Sequence, residues 1–227
     1  KDNNGLAIIN GDDKKQLKLT QKNRKYIFGN SEKADLYITP KNINSNKIIL
    51  RYNNFDFESN MIGSYNFSNV SVAIAFGLFF KIPKKIIMHG LKKYSPINNR
   101  SQWLKKGSNL ILMDAYNANP SSMNASIDAF IENTKKNRII ILGDMEELGK
   151  YSKSEHQKIA NKLEKIDIEL VILIGKKFRE VNYEKNNFRK FNNSEDASKF
   201  LNNKKWHNKN FLLKGSRKIK LEEIIKF

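Results

Sequence analysis

Three short polar segments follow apolar runs in the second half of the chain, and their side chains could bind a charged ligand. They are DAYNANP at 114–120, GDMEELG at 143–149 and KGSR at 214–217. Parallel strands bring their carboxyl ends to one edge of a sheet, and ligands of such folds bind there. If the apolar runs are parallel strands, the sequence predicts that the three segments form one polar site.

The side chains of the first segment each have a functional and a structural interpretation. The carboxylate of Asp114 could accept hydrogen bonds from both hydroxyls of a ribose, or it could cap a turn. Asn117 and Asn119 could bind amide groups of a peptide or the edge of a base. They could equally serve Asx-turn and N-cap hydrogen bonds, which we favour for these two asparagines, and Pro120 suits the first turn of a helix.

The second segment is acidic. Asp144, Glu146 and Glu147 lie within four residues, near the predicted start of a helix. They could receive an ammonium group, or they could complement the positive end of the helix dipole. The string GDMEELGK is not a phosphate loop, because five residues separate its glycines and Tyr151 follows its lysine.

The third segment is basic. Lys214, Ser216 and Arg217 stand at a predicted strand-to-helix turn, where cationic side chains and a helix N-terminus add their attraction for an anion. A solvated basic turn is the alternative interpretation.

Asparagines and histidines elsewhere give weaker signals. Asn66 and Asn69 share one face of a predicted helix, and an asparagine amide can bind the N6 and N7 edge of adenine. A helix cap and an ordinary polar helix residue are the alternatives. His89, His156 and His207 have no spacing typical of metal ligands, so we predict no metal site from them.

An alternation of apolar runs with helical patterns predicts an α/β fold with a mostly parallel sheet for the second half. The predicted strands there are 109–113, 138–142, 170–174 and 211–213, and the predicted helices are 121–133, 152–164, 195–202 and 220–226. The first half reads as an α+β fragment, with strands at 6–9, 25–28, 35–38, 47–52 and 55–57 and helices at 66–80 and 83–92. Turn signals around Tyr94 to Pro96 predict domains at 1–96 and 97–227.

The amino-acid composition of the chain limits the classes of function that it can have. The net charge of +19 would suit a polyanionic partner, but only seven of the 42 basic residues are arginine and lysine is spread over every segment. We therefore expect no nucleic-acid partner. No apolar run is long enough to cross a membrane, the first residues lack the apolar core of a signal peptide, and the absence of cysteine suits a cytoplasmic location.

Taken together and in order, several strings resemble the Mur ligase family. They are INGDD, GSYNFSNVSVAIA, NNRSQ, DAYNANPSSM, ILGDMEELG with His156 downstream, and FLLKGSR before LEEII, which together span most of the chain. YNANP and GDMEELG are typical of the member that joins D-alanyl-D-alanine to UDP-N-acetylmuramoyl-tripeptide. The resemblance implies part of a central ATPase domain followed by a Rossmann-like C-terminal domain.

This resemblance implies an enzyme of peptidoglycan precursor synthesis that uses ATP and Mg²⁺. The terminal carboxylate of the tripeptide is phosphorylated, and the dipeptide amine then attacks the acyl phosphate. The expected partners are the two substrates, and the expected oligomeric state is a monomer. Because the chain has no GxxxxGK[ST] string, it corresponds to about the C-terminal half of such a ligase, and we expect no catalysis by it alone.

Site roles also follow from the resemblance. They comprise ATP binding by Asn66, Asn69, Arg100, Asp114 and Tyr116, substrate binding by Asn117, Asn119 and Ser216, and catalysis by Lys214 and Arg217, with metal ligands expected upstream.

Three positions depart from the family pattern. Tyr65 replaces a histidine, Asn99 replaces the glycine before Arg100, and Leu221 replaces a methionine. Another Mur ligase or a folylpolyglutamate synthase relative remains an alternative, and a basic nucleic-acid-binding α/β module is a second one.

Overall fold

The structure is a computed structural model that describes residues 5–42, 47–61, 63, 66–97 and 99–224. The chain divides into two compact units, residues 1–95 and 96–227. None of the helices in the described ranges has the length and apolar character that a membrane crossing needs.

Two small sheets and three helices make up the described part of the first unit. Strands β1, β2 and β3 are parallel in that order, and β4, β5 and β6 form an antiparallel meander. Helices α2 and α3 cover a core that includes Ile38, Leu50 and Phe57. The elements are β1 (Leu6–Asn10), α1 (Lys14–Leu19), β2 (Arg24–Gly29), β3 (Leu36–Tyr37), β4 (Thr39–Asn42), β5 (Ile48–Tyr52), β6 (Phe55–Ser59), α2 (Phe67–Phe79) and α3 (Lys84–Lys93).

Among the residues that the structure describes, the second unit has a six-stranded sheet with helices on both faces. Its strand order is β11-β10-β9-β12-β8-β7, and all neighbours are parallel except β7, which runs antiparallel to β8. The elements are β7 (Gln102–Lys106), β8 (Asn109–Asp114), α4 (Pro120–Asn133), β9 (Arg138–Gly143), α5 (Ser152–Glu164), β10 (Leu170–Ile174), α6 (Lys176–Arg179), β11 (Phe188–Phe191), α7 (Ser194–Asn202) and β12 (Asn210–Lys214).

Burial on both faces explains why the central strands are continuous apolar runs. Every residue of β10 is buried, and so are the last five of β9. Helices α4 and α5 pack on one face of the sheet. Helix α7 and Leu221 pack on the other. Strand β12 is the last to form along the chain, and it lies between β9 and β8 in the sheet. The loops that follow neighbouring strands there leave towards opposite faces, and this opens crevices at the carboxyl edge.

The predicted fold class is confirmed, with one element wrong and several missed. The helix predicted at 220–226 is absent from its described part: two short 3-10 turns, Arg217–Ile219 and Leu221–Glu223, flank Lys220, whose φ of 55° is left-handed and interrupts a helix. Residues 225–227 of that prediction lie outside the described residues. The sequence interpretation missed α1, β4, β7, α6 and β11.

Candidate functional site

The three polar segments lie on one edge of the second unit, as the sequence predicts. Lys214 at the end of β12 is in register with Asp114 at the end of β8 on one side and with Leu142 in β9 on the other. The backbone N–H of Ser216 donates to the carbonyl of Asp144, at 3.2 Å, which joins the basic segment to the acidic one.

Asp114 and Lys214 form a buried ion pair at this edge. Lys214 Nζ lies 2.9 Å from Asp114 Oδ2 and donates to the carbonyl of Asn117 at 2.7 Å. The Asp114 carboxylate also accepts the backbone N–H of Ser101, at 3.0 Å, and the hydroxyl of Ser126 in α4. Only 3% of the Lys214 side chain and 12% of the Asp114 side chain are exposed. Both charged groups therefore bind partners within the second unit.

Two arginines stack on one exposed tyrosine beside this pair. The guanidinium carbon of Arg100 lies 3.8 Å from the ring centroid of Tyr116, and that of Arg217 lies 5.7 Å from it. We call Arg100, Tyr116 and Arg217 the arginine cluster. Next to it is a cavity of about 410 Å³, the arginine cavity, which is lined by Asn99, Ala115, Tyr116, Arg217 and Glu222. Two exposed guanidinium groups over one ring at this edge are suited to binding a phosphate chain.

The other predicted residues of this edge serve local structure. Asn119 caps α4 by a capping box with Ser122, so the cap interpretation of Asn119 is confirmed. Asn117 is exposed, and its Oδ1 accepts the backbone N–H of Ala118. The buried hydroxyl of Ser216 has no hydrogen-bond partner among the described residues. None of these contacts shows a bound substrate.

Asp144 accepts hydrogen bonds from a helix that the sequence did not predict. Its two carboxylate oxygens accept the backbone N–H groups of Lys177 and Phe178 in α6, at 3.0 and 2.9 Å. The dipole interpretation placed the acidic segment at the helix that follows β9, whereas Asp144 binds the helix that follows β10. Glu146 pairs with the Lys177 ammonium at 2.6 Å, and this hydrogen bond lowers the pKa of Glu146. Glu147 is exposed.

A second cavity of about 440 Å³ opens between the loops that follow β9, β10, β11 and β12. We call it the lysine cavity because its lining includes Lys176, Lys177, Lys218 and Lys220. Lys177 is paired with Glu146, and Lys220 lies 3.7 Å from Glu223. Lys176 and Lys218 have no ion-pair partner within the described ranges. The turn Arg217–Ile219 lies between the two cavities, since Arg217 lines one and Lys218 the other.

Asn66 and Asn69 belong to the first unit. Asn69 Nδ2 donates to Asn66 Oδ1 at 2.8 Å, so the two amides form the pair that their spacing predicts. Asn66 is buried at the first residue before α2 and Asn69 is exposed. Their predicted binding of adenine is not tested by these contacts.

Comparison with known proteins decides the family. Residues 99–217 match the Mur ligase, glutamate ligase domain, and residues 1–77 match the Mur ligase middle domain. The chain belongs to the Mur ligase family.

Individual Mur ligases resemble the chain over nearly its whole length. The UDP-N-acetylmuramoyl-tripeptide–D-alanyl-D-alanine ligase of Buchnera aphidicola subsp. Baizongia pistaciae is 33% identical over 98% of this chain and 50% of that protein. A crystal structure of MurF from Acinetobacter baumannii superposes with a TM-score of 0.82, at 22% identity, over 97% of this chain and 51% of that one. MurF from Thermotoga maritima in complex with ADP gives 0.77, at 18% identity, over 98% and 52%. The chain thus spans about half the length of these Mur ligases.

Sequence reasoning missed the groups that hold this Mur ligase site together. Ser101 and Ser126 bind Asp114, and Lys177 binds Glu146. Ser101 lies in the NNRSQ string but was not predicted as a site residue, and Ser126 and Lys177 lie outside the motifs that the sequence analysis used. Glu222 and Asn99 line the arginine cavity without having been predicted as site residues. Within the described ranges no group of three or more histidine, aspartate or glutamate side chains could hold a metal ion.

The side chain of His156 hydrogen-bonds the backbone of the acidic segment. Its Nε2 accepts the backbone N–H of Met145 at 3.0 Å, and its Nδ1 lies 2.7 Å from the carbonyl of Ser152, so the ring is neutral with its proton on Nδ1. The side chain is fully buried, with its edge against Phe178, and 3.8 Å separate Nε2 from Asp144 Oδ1. Burial lowers the pKa of His156 below its usual range.

We expect the second unit of this Mur ligase to lose stability as the pH falls below about 6.5. The unfolded state binds a proton on His156 there while the folded state does not, so stability is complete above the unfolded pKa and declines towards the folded one. Urea unfolding should show a lower free energy of unfolding for the second unit at about pH 5.5 than at about pH 7.5. Tryptophan fluorescence isolates the second unit, because both tryptophans of the chain, Trp103 and Trp206, belong to it.

Two variants test the assignment of this pH dependence. His156→Gln should remove the additional loss below pH 6.5, whereas His207→Gln, which changes an exposed histidine of the same unit, should keep it. An unchanged pH dependence in His156→Gln would show that another group is responsible.

Proposed function

We propose that this chain forms part of an ATP-dependent ligase that joins D-alanyl-D-alanine to UDP-N-acetylmuramoyl-tripeptide through an acyl phosphate. The observation that carries the proposal is the arginine cluster, which sets two guanidinium groups on one tyrosine at the carboxyl edge of a parallel sheet. The names of its relatives point to the same reaction.

The arginine cluster suits the phosphates of ATP and the acyl phosphate. A carboxylate is a poor electrophile, and phosphorylation gives it a good leaving group at the cost of concentrating negative charge. Exposed guanidinium groups that are already held in place stabilise such charge without having to reorganise. In this proposal Arg100 binds the nucleotide phosphates and Arg217 faces the phosphate that is transferred.

The lysine cavity suits the acceptor. A free dipeptide carries a carboxylate at one end, and Lys176 and Lys218 offer unpaired ammonium groups to it. The cavity volume of about 440 Å³ lies in the range of small-molecule sites. Lys218 follows Arg217 directly, so an acceptor in the lysine cavity would be next to the group that faces the transferred phosphate. Asn117, Asn119 and Ser216 remain proposed contacts of the peptide substrate.

Three further statements belong to the same proposal. Asn66 and Asn69 would bind adenine, Mg²⁺ would accompany ATP, and the protein would act as a monomer in the cytoplasm. The described residues offer no cluster of ligands for Mg²⁺. Asp114 would bind the ribose hydroxyls with the acceptor capacity that its carboxylate keeps beside the hydrogen bonds from Ser101, Ser126 and Lys214.

Titration of the ¹⁵N-labelled 227-residue chain tests the proposed ligands separately. ATP is expected to shift the amide signals around the arginine cluster, and D-alanyl-D-alanine to shift those of Lys176, Lys218 and their neighbours. L-alanyl-L-alanine is the matched control for stereochemistry and glutamate the control for a folylpolyglutamate synthase relative. Both should bind at least tenfold more weakly than the D,D-dipeptide, a difference that corresponds to about 1.4 kcal/mol.

Other outcomes would favour the alternatives. Glutamate binding in place of the dipeptide would favour another member of the family. Tight binding of single-stranded DNA, with log affinity falling steeply against log salt, would favour a nucleic-acid module. Shifts from ATP at the amino edge of the sheet would contradict the proposed site altogether.

A further inference from the structure

The buried ion pair between Asp114 and Lys214 binds the backbone of the residues that follow Arg100 and Tyr116, and Lys214 precedes Arg217 by three residues. We propose that this pair is a positioning device, which holds Arg100, Tyr116 and Arg217 in place for anion binding and does not itself contact the bound phosphates. The inference rests on the proposed function for the identity of the anion, a nucleotide phosphate. The link of each cluster residue to the pair is a separate observation.

The first link runs to Arg100. Asp114 Oδ1 accepts the backbone N–H of Ser101, the residue that follows Arg100, at 3.0 Å. The backbone on both sides of Arg100 is left-handed, with φ of 59° at Asn99 and 46° at Ser101. Residues other than glycine hold such angles only when their surroundings enforce them. The Asp114 carboxylate accepts from the second of these two residues and so contributes to the direction of Arg100.

The second link runs to Tyr116. Lys214 Nζ donates to the carbonyl of Asn117, the residue after Tyr116, at 2.7 Å. Tyr116 itself lies two residues beyond Asp114, on the loop between β8 and α4. The loop is thus fixed at one end by the register of β8 with β12 and in its middle by the Lys214 ammonium. Tyr116 stands between these two points and carries both arginines on its ring.

The third link runs to Arg217 through the chain. Lys214 is the last residue of β12, and Arg217 begins the 3-10 turn three residues later. Between them the backbone N–H of Ser216 donates to the carbonyl of Asp144, which limits the freedom of the turn. A displacement of Lys214 would therefore move the start of the segment that carries Arg217.

Burial argues against a direct contact between the pair and the bound phosphates. Only 3% of the Lys214 side chain and 12% of the Asp114 side chain are exposed, whereas Arg100 and Arg217 are exposed residues. Buried ion pairs contribute little net stability compared with apolar groups of similar size, and specification of one arrangement is an attested use of buried polar groups. The pair therefore explains the geometry of the cluster better than it explains extra stability.

A double variant separates positioning from charge. Asp114→Asn adds one positive charge and Lys214→Met removes one, so D114N/K214M leaves the net charge at +19 and leaves no unpaired buried charge. We expect the double variant to fold with a Tm within roughly 5 °C of the wild type, and Lys214→Met alone to lose roughly 10 °C because it strands a buried carboxylate. Inorganic tripolyphosphate should bind the double variant at least tenfold more weakly in calorimetric titration.

A spectroscopic measurement tests the positioning without any ligand. Stacking on Tyr116 shifts the Nε–H signals of Arg100 and Arg217 through the ring current, and D114N/K214M should move both signals to the positions of unstacked arginine. The matched control is D167N/K153M, which makes the same two chemical changes at exposed positions of the same unit. It should change neither the arginine signals nor the affinity.

Two results would overturn the inference. Unchanged arginine signals and unchanged affinity in D114N/K214M would show that the pair does not position the cluster. Weaker affinity with unchanged arginine signals would show that Lys214 contacts the anion directly. If the wild-type chain bound no tripolyphosphate, the proposed nucleotide site would fail, while the arginine signals would still decide the positioning role.

Discussion

Alanine at position 175 is expected to lower the free energy of unfolding of the second unit by about 4 kcal/mol, and its Tm by roughly 15 °C. Gly175 has φ of 120° and ψ of 168°, a region that is open essentially to glycine alone. A Cβ atom there would lie 2.3 Å from both Cγ and Oδ2 of Asp144. The side chain of Asp144 is held by two N–H groups of α6 and cannot withdraw without breaking them.

A second glycine provides the matched control. Gly107 also has a positive φ, 58°, but a Cβ atom there would meet nothing within 4 Å. Gly107→Ala should therefore cost only about 1 kcal/mol, from the backbone angle alone. Urea unfolding followed by tryptophan fluorescence gives both values for the second unit. Equal losses of unfolding free energy in the two variants would mean that the close approach of Gly175 to Asp144 does not affect stability.

The central strands and long helices could be predicted because their signals are local. Strands β8, β9, β10 and β12 are continuous apolar runs, and α5 begins and ends where its pattern predicts. Strands β7 and β11 lie at the edges of the sheet and have the mixed sequences QWLKK and FRKF, which lack a clear period. Helix α6 has only four residues, too few to show a helical period.

The site was predictable in its location but not in its connections. Parallel strands must end at a common edge, so the convergence of the segments at Asp114, Asp144 and Lys214 followed from the fold class. The partners of Asp114 did not follow, because Ser101 and Ser126 reach it only through the tertiary fold. A motif names the residues that a family uses, but it does not say which of them contact the ligand and which hold the others.

Removal of both arginines of the cluster is expected to weaken ATP binding at least 100-fold. A hydrogen bond to a charged group contributes about 1.5 to 3 kcal/mol, so two lost guanidinium contacts exceed the 2.7 kcal/mol that a 100-fold change requires. Arg100 and Arg217 are both exposed, and within the described ranges neither has an ion-pair partner. Arg100→Ala/Arg217→Ala should therefore leave the Tm within a few degrees of the wild type. Calorimetric titration of the 227-residue chain with ATP measures the affinity.

The large net charge of the chain makes a charge-matched control necessary for this result. A chain of +19 attracts any polyphosphate, and that general attraction is screened by salt over about 10 Å at 0.1 M. Lys153→Ala/Lys165→Ala removes the same two charges from exposed positions on and just beyond α5, away from both cavities. If the arginines act as a formed site, the lysine variant should keep its affinity at 0.15 M salt while the arginine variant loses it. Similar losses of ATP affinity in both variants would show that the arginine cluster contributes only to the general positive field of the chain. The nucleotide site would then lie elsewhere in the chain.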